Sequence, residues 1–120
     1  MEDREEKHSD FEKHALRVGY IWDEISREEQ DRLLQFVGES ETRILWVFYS
    51  DMLLSGHYGQ GLLVRTQEEL ISIDEKTVRR RLPVEKVKGF FCRNLVGNGL
   101  LQALIANKER IELLRYSRTL

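Results

Sequence analysis

Ile44-Leu45-Trp46-Val47-Phe48-Tyr49 is the stretch on which the fold turns. Six consecutive apolar residues, all but Leu45 β-branched or aromatic, are too few to cross a bilayer and read as a strand apolar on both faces. Alternation sends Ile44, Trp46 and Phe48 one way and Leu45, Val47 and Tyr49 the other. One face is therefore expected to enter a sheet core, and the other to lie beneath a helix.

The vocabulary after Thr42 stays that of strands, broken by turn formers at regular intervals. Strands are expected over Arg43 to Leu54, Gly61 to Thr66, Leu70 to Asp74, Val78 to Leu82, Val87 to Leu95, Leu100 to Ala106 and Arg110 to Tyr116. The connections Gly56-His57-Tyr58-Gly59, Gln67-Glu68-Glu69, Asp74-Glu75-Lys76, Gly97-Asn98-Gly99 and Asn107-Lys108-Glu109 are short enough for hairpins, which implies an antiparallel meander. Seven short strands must hide their edges, so a small barrel or an orthogonal pair of sheets is expected over residues 42–120.

Residues 1–41 read as an acidic tail followed by two helices. Phe11, Ala15, Val18 and Ile21, with Leu16 and Trp22, recur at helical spacing. Ser26-Arg27-Glu28-Glu29 has the form of a capping box, in which Ser26 accepts from the Glu29 amide and the Glu29 carboxylate returns to the Ser26 amide. A second helix should start near Arg27, present Leu33, Leu34, Phe36 and Val37, and stop at Gly38, where a positive φ is least strained.

Composition bounds the remaining choices. The chain has 120 residues, 41% of them hydrophobic and grouped in runs, with a single proline, which describes one globular domain and excludes collagen-like or low-complexity chains. Cys92 is the sole cysteine, so no internal disulfide forms and a cytoplasmic location is expected. The start Met1-Glu2-Asp3-Arg4-Glu5-Glu6 is the charge reverse of a signal peptide.

Charge is unevenly placed. Residues 1–30 carry ten acidic and five basic side chains, whereas between Lys76 and Arg93 seven cations, Lys76, Arg79, Arg80, Arg81, Lys86, Lys88 and Arg93, face the single Glu85. That stretch is either a set of solvated strand faces or a patch that attracts anions or docks a partner.

The residues of classical catalysis are scattered. His8, His14 and His57 lack the spacing of a metal pair, and Cys92 sits in an apolar strand context that would leave its thiol inert. Gly56-His57-Tyr58-Gly59-Gln60-Gly61 lacks the Lys-Ser/Thr ending of a phosphate loop, and Asp51, Asp74, Glu75, Glu109 and Glu112 show no twin-carboxylate pattern. The domain reads as non-catalytic, with no cofactor or metal. Trp46, Tyr49, Tyr58, Phe90 and Phe91 could stack bases beside Lys88 and Arg93, but the net charge of −2 and the dense acidic start argue against nucleic acid.

Two segments carry a resemblance. Asp51, the turn Gly56-His57-Tyr58-Gly59, the strand ending in Thr66, Leu70 opening the next, and the later step Leu82-Pro83-Val84-Glu85-Lys86-Val87 resemble bacterial pleckstrin-homology-like domains. Leu95-Val96-Gly97-Asn98-Gly99-Leu100-Leu101 and Ile111-Glu112-Leu113-Leu114-Arg115-Tyr116-Ser117-Arg118-Thr119-Leu120 resemble the N-terminal domain of certain bacterial ABC exporters. The resemblance implies an α+β fold in which N-terminal helices precede a seven-stranded antiparallel pleckstrin-homology-like barrel lacking its full C-terminal helix. One mouth of that barrel is then expected to stay open to a second copy or to further sequence. It also implies a non-catalytic accessory domain at the inner face of the cell membrane, with transport and ATP hydrolysis carried by downstream sequence. Its partners would be the rest of the transporter, another protein, an anionic membrane surface or a second copy. The rival reading is a free-standing module of the same fold that binds a protein or an anionic lipid surface.

Overall fold

Ser26 and Gly38 bracket the helix as its sequence requires. In the computed structural model, which describes residues 19–38 and 43–117, helix α1 spans Arg27–Val37. The Ser26 hydroxyl accepts from the Glu29 amide at 3.3 Å, and Gly38, at φ +90°, donates its amide to the Leu34 carbonyl at 2.9 Å. The other half of the capping box does not form. Glu29 is drawn instead to Arg32 and to the Tyr49 hydroxyl, at 2.8 Å, so the carboxylate that would have closed the first turn fastens the helix to the sheet.

The strands are β1 (Gly19–Ile21), β2 (Ile44–Met52), β3 (Tyr58–Thr66), β4 (Glu69–Asp74), β5 (Thr77–Pro83), β6 (Gly89–Leu95), β7 (Asn98–Leu104) and β8 (Arg110–Ser117). Every pairing is antiparallel, in a five-stranded sheet of order β1-β2-β3-β4-β5 and a three-stranded sheet of order β6-β7-β8.

This arrangement corrects the seven-stranded pleckstrin-homology-like barrel with N-terminal helices. Among the described residues eight strands form two open sheets, with one α-helix. The ladder does not continue from β5 to β6, because Pro83 has no amide to donate and the chain turns there through the 3₁₀ turn Val84–Lys86. Val84, which opens that turn, and Val87, which follows it, pack half-buried against the second core and redirect the chain into the second sheet. The extra strand comes from residues expected to be helical. Gly19, Tyr20 and Ile21 pair with Phe48, Val47 and Trp46, since an open edge of β2 satisfies their backbone groups, and Trp22 opens a 3₁₀ turn. The rest of the expected first helix, Phe11 to Val18, lies outside the described residues.

Two cores flank the five-stranded sheet. On one face Leu33 and Val37 of α1 pack with Ile44, Val47, Leu62, Val64, Ile71 and Ile73. On the other, Leu63, Leu70 and Leu82 meet Leu101, Ala103, Leu113 and Leu114 of the second sheet, with Trp46 and Phe48 stacked 4.3 Å apart beside them. Simple alternation along β2 therefore fails at one place. A register shift between Ile44 and Trp46 moves Ile44 to the helix side with Val47 and Tyr49, while Trp46 and Phe48 face the second sheet. Strand β8 lies across β2, β3 and β4, and its Leu113 and Arg115 carbonyls accept from the hydroxyls of Ser72 and Ser50. These two buried serines satisfy an edge that would otherwise carry unpaired carbonyls into the core.

The Glu29 contacts have a pH signature. The Arg32 hydrogen bond, and after it that from Tyr49, hold the Glu29 carboxyl below its ordinary value of 4.5 against the opposing effect of burial. Such a group stabilises the fold fully above its unfolded value and less as pH falls through the depressed folded one. Urea stability of the parent should therefore drop faster than that of Glu29→Gln as pH falls from about 5 to 3. Parallel curves would show that the pairing contributes nothing.

Candidate functional site

Several of the resemblance residues meet at a joint between the sheets. The Asp51 carboxylate accepts from the Ser117 amide at 3.0 Å and from its hydroxyl. The Arg115 guanidinium donates to the Leu54 carbonyl and to the Asn98 side-chain oxygen, both at 3.0 Å, passing beside Gly56 in the β2–β3 turn. Gly97, at φ +76°, shapes the β6–β7 turn, and buried Tyr116 lies over Gly99. Thr66 accepts from the Glu68 and Glu69 amides to close the β3–β4 turn, and Leu70 enters the second core. Gly59 is crowded by Leu53 and the Glu75 carboxylate, while its neighbour Tyr58 is 81% exposed. Tyr58 apart, these positions serve turns and contacts between elements.

The seven cations of the Lys76–Arg93 stretch separate into two sets. Arg79 pairs at 3.5 Å with Asp74, whose buried carboxylate also accepts from the Leu54 amide at 3.1 Å. Arg81 pairs at 3.1 Å with Glu69 and donates at 2.6 Å to the Val37 carbonyl, placing a cation at the negative end of α1. These two are structural fasteners. Lys76, Arg80, Lys86, Lys88 and Arg93 are exposed, and no salt bridge among the described residues engages them.

Lys86 and Lys88 gain a setting from the strap between the sheets. Val84 and Val87 point into the second core, which turns the intervening and following side chains, Glu85, Lys86 and Lys88, outward. Facing them is the β7–β8 connection, where Ile105 packs into the same core and Asn107 and Lys108 adopt φ of +64° and +61°. The strap and the connection are tied by the Lys88 amide donating to the Leu104 carbonyl at 2.6 Å. Between them is a cleft of about 490 Å³ lined by Glu85, Lys86, Lys88, Ile105, Ala106, Asn107 and Glu109. Sequence reading found the two lysines as part of a charge run. It missed the wall of the cleft from 105 to 109, whose only signal was Asn107, a residue that tolerates positive φ.

The described residues contain no group of three or more His, Cys, Asp or Glu placed to hold a metal ion. Burial pushes the Cys92 thiol up to about 11, with a Tyr116 hydrogen bond working weakly the other way, so little thiolate forms near neutrality. No helix among the described residues is long and apolar enough to cross a membrane. No family model, curated protein or solved structure matches the chain.

Proposed function

We propose that the domain is a non-catalytic docking module that holds an acidic segment of a partner protein at the corner between its two sheets. The observation that carries this reading is the pair Lys86 and Lys88, exposed on the cleft wall and free of salt bridges among the described residues, while Arg79 and Arg81 nearby in sequence are neutralised. Glu85 and Glu109 line the same cleft, a mixture that suits a shaped protein ligand better than a uniformly anionic membrane. For a place within an ABC exporter, or at the inner face of a membrane, the support is the resemblance of the segments between residues 51 and 120 alone.

Titration of a fluorescent glutamate-rich peptide into the protein tests the reading. Lys86→Glu combined with Lys88→Glu should weaken binding about tenfold at low salt, and the loss should shrink as salt rises. Equal binding by the folded double variant would remove the corner from consideration. Anionic vesicles serve as the rival probe, and preferential attachment to them over the peptide would favour a lipid surface.

A further inference from the structure

The two sheets end in four strand edges, and three of them are protected. β1 spans only three of the described residues, and β8 is covered by the first sheet through Ser50 and Ser72. β5 carries a register shift opposite Ser72 and Ile73, ends in Pro83, and bears Arg79, Arg80 and Arg81 in succession. Short length, cover, bulges, proline and repeated charge are the devices by which sheets refuse a further strand. Among the described residues β6 has none of them, Arg93 being its single charge. Its seven residues pair with β7 without a register shift, and among the described residues no strand occupies its other side. Half-exposed Phe90 lies along it, and fully exposed Val96 follows at its end.

We infer that β6 is a docking edge for an extended, acidic segment of a partner protein, which adds to the β6-β7-β8 sheet as a fourth strand. The inference rests on the docking function proposed above and gives it a binding mode. Charge selects the occupant. Lys88 precedes the strand and Arg93 lies within it, both exposed and free of salt bridges among the described residues, and Lys86 stands two residues further back in the cleft. No carboxylate lies between Lys86 and Arg93, so a second copy of β6 would set cations along the seam, whereas an acidic strand would complement them. Main-chain hydrogen bonds to the open edge would supply affinity, and side chains on one face of the added strand would meet Phe90 while those on the other face would meet Arg93.

Two probes separate the mode from the underlying reading: a peptide of alternating glutamate and valine, and the same peptide N-methylated at every residue so that it keeps its charge but loses its amide donors on both edges. The plain peptide should bind at least tenfold more tightly than the N-methylated one, and amides of residues 89–95 should gain protection from hydrogen exchange when it is bound. Arg93→Glu should weaken the plain peptide several-fold. Equal affinity for plain and N-methylated peptides would overturn strand addition and leave electrostatic docking at Lys86 and Lys88 standing. Failure of every acidic peptide to bind would overturn both. Concentration-dependent dimerisation that the peptide cannot displace would show that the edge belongs to a second copy.

Discussion

Truncating Leu33 to alanine is expected to cost the fold about 3 kcal/mol, because the side chain is wholly buried where α1 meets the five-stranded sheet. The helix has two fully seated anchors, Leu33 and Val37, one turn apart on the same face. Removing the larger leaves a cavity against Val47, Leu62 and Val64, strand residues held in ladders on both sides and unable to collapse into it. Leu34, next in sequence, is 41% exposed, so Leu34→Ala should fall within about 0.5 kcal/mol of the parent. Urea denaturation of the two variants checks the pair. Similar losses would mean that α1 is not seated through its Leu33 face.

That contrast shows what was legible in the sequence. Helix α1 was, because its signals are local: Ser26 at one end, Gly38 at the other, and a stripe between them. The seven strands from β2 to β8 were visible for the same reason, each bounded by turn formers. Closure was not. Whether β5 joins β6 depends on Pro83, which lacks an amide, and on Val84 and Val87, which pack half-buried against the second core, none of which changes the local pattern. Strand β1 was missed because Ile21 and Trp22 fit helical spacing, while the partner that draws Gly19–Ile21 out straight lies 25 residues away at Trp46. The candidate site was half legible. Lys86 and Lys88 stood out by charge, but only the structure distinguishes them from Arg79 and Arg81, whose partners Asp74, Glu69 and the Val37 carbonyl are supplied by other elements.

Gly99→Ala should be among the costliest glycine substitutions, at about 2–3 kcal/mol, although it adds one methyl group. A Cβ at Gly99 would lie 2.5 Å from Cε2 and Cζ of Tyr116, the residue opposite it on β8. The ring has nowhere to go, being 2% exposed on a strand whose carbonyls are held by Ser50 and Ser72. Gly89 provides the comparison, since it begins β6 with nothing within 4 Å of the corresponding position and should accept alanine at little cost. The cause is isolated by a double-mutant cycle with Tyr116→Leu, a substitution that is destabilising alone but vacates the volume above Gly99. If overlap with the ring is the source of the loss, the double variant should be more stable than the sum of the single effects by about 1 kcal/mol or more. Strict additivity would place the cost of the methyl in the backbone of β7 rather than in the joint between β7 and β8.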